Sequence, residues 1–106
     1  MATSSKDLFS KKEKRIAALA KALGHPARVA ILKYLLKKNA CVCGDLVDVL
    51  PLAQSTVSQH LKELKKVGIL QGEIEGTSTC YCIDPKIWME MKGLFDGLIT
   101  QHKNCC

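Results

Sequence analysis

Apolar residues recur at helical spacing along most of this chain and alternate over two short stretches, and the two periods divide it into elements. Ser10-x-x-Glu13 is a capping-box pattern in front of Ile16, Leu19, Ala20 and Leu23, and Gly24 closes that helix. Pro26 suits the first turn of the next, in which Val29, Ile31, Leu32, Leu35 and Leu36 form a broad apolar face through Lys37. Ala40-Cys41-Val42-Cys43 alternates as a strand does, and Gly44 releases the chain into a short helix around Asp45 to Leu50, stopped by Pro51.

A second helix follows that turn, with Val57, Leu61 and Leu64 at i, i+4 and i+7 on its core face. Gln54, Ser55, Thr56, Ser58, Gln59 and Lys62 occupy its other faces. These small amides and hydroxyls can donate and accept hydrogen bonds at base edges, which suits a recognition helix lying in a major groove. Lys62 and Lys65 are candidates for phosphate contact. Gly68 is a natural helix end. Ile69 to Glu75 and Thr79 to Ile83 then read as a hairpin around Gly76-Thr77-Ser78, the wing of a winged helix-turn-helix.

Asp84-Pro85 opens a final helix whose stripe of Ile87, Trp88, Met91, Leu94, Phe95, Leu98 and Ile99 is wide enough to need a partner surface. The expected fold is mainly α with a small β-hairpin, dimerising through the first and last helices, with Gly93 and Gly97 on a flank open to close approach. Residues 1–9 read as a mobile arm, 10–102 as the DNA-binding and dimerisation domain, and 103–106 as a tail.

Composition agrees with a DNA-reading role. The chain has 106 residues, enough for one domain, and its 16 Lys and Arg against 10 Asp and Glu give a net charge of +6, which favours an anionic partner. No apolar run reaches membrane-spanning length and the first residues lack a signal-peptide pattern, so a cytoplasmic protein without a membrane partner is expected. In that reducing setting its six cysteines point to metal binding or redox sensing rather than to structural disulfides. An enzyme is disfavoured, because paired carboxylates and a phosphate loop are both missing.

From Leu23 to Ile83 the chain resembles the arsenic-repressor (ArsR/SmtB) family of winged-helix metal-sensing repressors, through LGHPARVAIL, CVCGDL, LAQSTVSQHLKELKKVGIL and CYCI in that order. The resemblance implies a homodimer that holds double-stranded operator DNA without any cofactor and lets go when a metal or metalloid binds. It also makes Gln54, Ser55, Thr56, Ser58 and Gln59 the DNA-reading positions. Three departures stand out. Ala53 replaces a frequent capping serine, the wing holds Glu73 and Glu75 without Arg or Lys, and the last helix offers only His102 and Asp96 where histidine-type sensors carry several ligands.

None of the histidines has a second at ligand spacing. His25 reads as a helix cap, His60 as a packing and backbone-contact residue, and His102 as solvated. The thiols carry the sensing chemistry. Cys41-x-Cys43 and Cys80-x-Cys82 each place two sulfurs on one face of an extended segment, leaving Val42, Tyr81 and Ile83 inward. The family's fold brings the two segments side by side, which makes Cys41, Cys43, Cys80 and Cys82 the expected metal site. Its regulatory ligand would be trivalent arsenic or antimony, with zinc, cadmium or lead as other thiophilic candidates. Cys105 and Cys106 form an alternative site. A thiol redox or sulfur-species sensor on the same scaffold is the competing reading.

Overall fold

The computed structural model describes residues 8–44, 46–74 and 79–103. Their elements run α1 (Lys11–Leu23), α2 (Pro26–Lys38), β1 (Val42–Cys43), a 3₁₀ turn (Leu46–Asp48), α3 (Gln54–Lys66), β2 (Leu70–Glu73), β3 (Cys80–Ile83) and α4 (Pro85–Ile99). The strands form one antiparallel sheet in the order β1-β3-β2. This is the winged helix-turn-helix, with a third strand added to the hairpin.

Local signals set the helix ends. Ser10 caps α1 through its hydroxyl, which accepts from Glu13 N at 3.0 Å, while the Glu13 carboxylate accepts from Ser10 N at 2.9 Å. His25 caps α2: its Nδ1 accepts from Ala27 N at 3.0 Å, one residue into a helix that Pro26 opens. Asp84 does the same for α4 by accepting from Lys86 N at 2.9 Å. α3 ends in a Schellman arrangement, with Gly68 at φ +93, Gly68 N donating to Lys65 O and Ile69 N to Leu64 O.

One expected element is shorter than the sequence suggested. The first helix of the helix-turn-helix is a single turn, in which Val49 N and Leu50 N both donate to Leu46 O at 3.0 Å. Asp45 lies outside the described residues. Few residues separate Gly44, at φ +108, from Pro51, and a helix of that length recovers too few hydrogen bonds to offset its nucleation. Leu46 nevertheless anchors it, buried under α3.

The core joins Leu19 and Ala22 of α1, Ile31, Leu32 and Leu35 of α2, Val57, Leu61 and Leu64 of α3, Ile69, Leu70, Tyr81 and Met91. Ala22, not Ala20, completes the buried face of α1, and Val29 and Leu36 of α2 stay exposed. The first and last helices pack on each other, and Arg15 makes a two-pronged ion pair across them to Glu90 at 3.0 and 3.2 Å. Leu94 and Phe95 still pack against the core, and beyond them the apolar stripe of α4 runs out of it: Leu98 and Ile99 are 58% and 68% exposed. No helix among the described residues is long and apolar enough to cross a membrane.

Candidate DNA-reading and thiol sites

α3 presents a sharply two-sided surface. Val57, His60, Leu61 and Leu64 are buried, whereas Gln54, Ser55, Thr56, Gln59, Lys62 and Lys65 are exposed and Ser58 is half-buried. Ala53 occupies the N-cap without a side-chain hydrogen bond, so no side chain shields the first amides of α3. Those amides and Gln54, Ser55 and Thr56 form one polar, electropositive end. Lys65 is directed elsewhere: its Nζ donates to the Gly72 carbonyl of β2 at 2.6 Å and so ties the recognition helix to the wing. The wing tip, Glu75 to Ser78, lies outside the described residues.

Behind α3 is a polar contact that periodicity does not reveal. His60 is 7% exposed, and its Nδ1 accepts from Arg28 Nε at 3.0 Å, while Arg28 Nη1 donates to Ala22 O at 3.3 Å. His60 thus meets an arginine side chain rather than the backbone. The His25 ring stacks at 4.3 Å, tilted by 46°. Burial, then the nearby His25 and Arg28, hold the His60 pKa below the usual imidazole value.

A lowered pKa in the folded state means that the unfolded chain binds the proton more readily. The stabilising contribution is therefore complete above the unfolded value, near pH ~6.5, and is lost as pH falls through the folded value. Urea midpoints should drop between pH 7.5 and pH 5.5. In His60→Asn, whose amide oxygen can still accept from Arg28 but does not titrate, the drop should shrink; an unchanged profile would remove His60 as its source.

Cys80 and Cys82 lie on β3 on either side of Tyr81, the residue paired with Gly72. β1 and β3 pair with Val42 opposite Tyr81 and Cys43 opposite Cys80. Gly44 N donates to Thr79 O at 3.0 Å, which marks that position as a hydrogen-bonded pair and the next, Cys43 and Cys80, as a non-hydrogen-bonded one. The alternation makes Cys41 and Cys82 non-hydrogen-bonded as well. Such pairs bring side chains closest, and the Cα separations are 4.0 Å for Cys43 and Cys80 and 4.2 Å for Cys41 and Cys82. Tyr81 is buried, with Val42 and Ile83 half-buried beside it, so the sulfurs share the outer face.

In this structure the sulfurs are joined as two disulfides, Cys41 to Cys82 and Cys43 to Cys80. In that oxidised state they are not ligands, and among the described residues no group of three or more His, Cys, Asp or Glu is arranged to hold a metal ion. The other candidate thiols, Cys105 and Cys106, lie outside the described residues. His102 is exposed, as expected. Two neighbours of the thiols carried no signal in the sequence. Gln71 Nε2 donates to Cys82 Sγ at 3.8 Å, and Thr79 Oγ1 donates to Gly44 O at 3.2 Å.

Residues 25–71, which span α2, β1, the helix-turn-helix and the start of the wing, match the family described as "Bacterial regulatory protein, arsR family". An uncharacterized HTH-type transcriptional regulator of Methanocaldococcus jannaschii is 42% identical over 82% of this chain and 98% of its own length. A cadmium resistance transcriptional regulatory protein CadC homolog of Staphylococcus aureus is 35% identical over 74% of this chain and 65% of its own. Among solved structures, HlyU from Vibrio cholerae superposes with a TM-score of 0.65 at 28% identity, covering 85% of this chain and 97% of that one. With its recognition helix, its wing and this degree of likeness, the chain belongs to the arsR family of DNA-binding transcriptional regulators, not to a family of enzymes.

Proposed function

We propose that this chain is a homodimeric repressor which occupies its operator with thiols reduced and ligand-free, and releases it when a thiophilic metalloid or metal engages the cysteines of β1 and β3. Trivalent arsenic or antimony is the first candidate. The observation carrying this reading is the placement of Cys41, Cys43, Cys80 and Cys82 in two consecutive non-hydrogen-bonded pairs on one face. Once reduced, such a donor set fits soft ions: three sulfurs would satisfy trivalent arsenic, and all four could surround zinc or cadmium. The cadmium in the name of the Staphylococcus aureus relative points the same way.

The sheet offers two routes to the recognition helix. β1 continues through Gly44, held by Thr79, into the turn on which α3 rests. On the other side β3 pairs with β2, whose Gly72 carbonyl holds Lys65 of α3. Drawing the sulfurs of β1 and β3 around one ion would act on both. Inducer and operator then oppose each other, and by linkage DNA must weaken inducer binding by the same factor. For the dimer, the exposed Leu98 and Ile99, with open space at the Cβ positions of Gly93 and Gly97, supply an apolar face that a second copy can approach closely. Paired recognition helices would read half-sites about 10 base pairs apart.

Roles on α3 can be separated by titration on specific and scrambled duplexes. Gln54→Ala or Ser55→Ala should relax base preference by about 1–3 kcal/mol, and Lys62→Ala should weaken binding to all sequences alike. Equal losses on both duplexes for Gln54→Ala and Lys62→Ala would contradict this division.

The disulfides favour a second reading, in which each reduced pair loses two electrons and two protons to an oxidant such as hydrogen peroxide, itself reduced to two waters. Native mass spectrometry of DNA-released protein separates the two. Added metalloid mass supports ligand sensing, and loss of two hydrogens per pair supports redox sensing.

A further inference from the structure

Glu63 is the one acid among the 13 residues of α3, a helix that must come close to the phosphate backbone. An anion there works against DNA affinity. Its Oε2 accepts from Gln59 Nε2 at 3.3 Å and from Lys66 Nζ at 3.2 Å. The hydrogen bond and charge of Lys66, then the charges of Arg28 and Lys21, hold the Glu63 carboxyl below the usual carboxylate range. It is therefore ionised at neutral pH and can only accept. Exposed contacts of this kind add little to stability. What this one fixes is the sense of the Gln59 amide, because its nitrogen can face a carboxylate and its oxygen cannot.

Gln59 stands where that sense matters. Ser55, Gln59, Lys62 and Lys66 follow at i, i+4, i+7 and i+11, all exposed, along the line opposite the buried Val57, Leu61 and Leu64. We infer that Glu63 is a positioning residue which turns the Gln59 amide to read adenine. The inference rests on the repressor reading above and adds a base to it. Giving Glu63 the amide hydrogen trans to the oxygen leaves the oxygen and the cis hydrogen side by side on the free edge. That edge accepts from adenine N6–H and donates to adenine N7 at once, the two-bond pairing of glutamine in a major groove. Guanine presents only acceptors there, N7 and O6, so the held oxygen would face O6 and be repelled. An amide released from Glu63 can turn over and donate to O6 instead, and the choice between the two purines fades.

The test uses the reduced full-length protein. Selection from a random duplex pool supplies its operator, and anisotropy titrations on duplexes with each base pair replaced in turn give the preference at every position. At one position per half-site the unmodified protein should prefer adenine over guanine by about fivefold to a hundredfold, and Gln59→Ala should abolish that preference. Glu63→Gln, whose amide both donates and accepts and so holds Gln59 in either sense, should cut the ratio to below about threefold and leave the other positions unchanged. Its affinity for a scrambled duplex should rise, because an anion has been removed, and its urea midpoint should not move. In Gln59→Ala, adding Glu63→Gln should alter no base preference. An adenine preference that Gln59→Ala removes and Glu63→Gln leaves intact overturns the positioning role while Gln59 still reads DNA. So does weaker binding of Glu63→Gln to both duplexes with a lowered midpoint, which would make Glu63 structural. Unchanged preferences at every position in Gln59→Ala remove Gln59 from base reading, and the inference with it. Failure of the unmodified protein to enrich any sequence overturns the repressor reading itself.

Discussion

Leu64→Ala should lower the stability of the fold by about 2–5 kcal/mol, a large share of the roughly 5–15 kcal/mol that holds a domain together. Leu64 is fully buried at the point where α3 meets the rest of the core, and its carbonyl accepts Ile69 N in the turn that launches the wing. Truncation therefore removes buried methyl groups and leaves a cavity beneath the recognition helix. A urea midpoint lowered by a molar or more is expected at the slopes of about 1–3 kcal/mol per molar typical of small proteins. Leu64→Met keeps the volume and should cost less than about 1.5 kcal/mol. Equal midpoints for Leu64→Ala and the unmodified protein would show that α3 is not part of the core.

Gly72→Ala should disable the wing. Gly72 sits in β2 at φ +115, and a Cβ there would overlap the Cys80 carbonyl and lie 2.9 Å from Tyr81 Cα. The left-handed backbone alone costs an L residue about 1–3 kcal/mol. The overlap is with backbone of the paired strand, which can yield only by separating β2 from β3. Because Lys65 is bonded to the Gly72 carbonyl, the same change loosens the tie between wing and recognition helix. Hydrogen exchange should accelerate in Leu70–Glu73 and Cys80–Ile83 while α1 and α2 keep their protection; unchanged exchange in both strands would contradict the role given to this glycine.

What could be read in the sequence was local. The Ser10 and Glu13 box, the His25 and Asp84 caps and the Val57, Leu61, Leu64 stripe each depend on residues within two turns of one another, and each has the expected form. Alternation put each pair of cysteines on one face, but the opposition of Cys43 to Cys80 required the order β1-β3-β2, a long-range property. Contacts between distant segments were silent. Arg28 and His60 are 32 residues apart, and no pattern in either helix couples them. Lys65 showed the opposite problem: a lysine on a DNA-reading helix suggests phosphate, yet its ammonium lies on a wing carbonyl, an acceptor that only the folded hairpin provides. At Leu46 the apolar spacing covers too few residues to distinguish one turn of helix from two, and the chain forms one.

Control of operator release by the thiols of β1 and β3 is tested by fluorescence anisotropy of labelled operator, bound by reduced protein and titrated with arsenite. Two variants are compared: Cys80→Ser/Cys82→Ser, and a chain truncated before Cys105. The truncated chain should release DNA as the unmodified protein does, whereas the double variant should bind operator with the same affinity and no longer respond. A normal response in the double variant with loss of response on truncation would contradict it and make Cys105 and Cys106 the sensor.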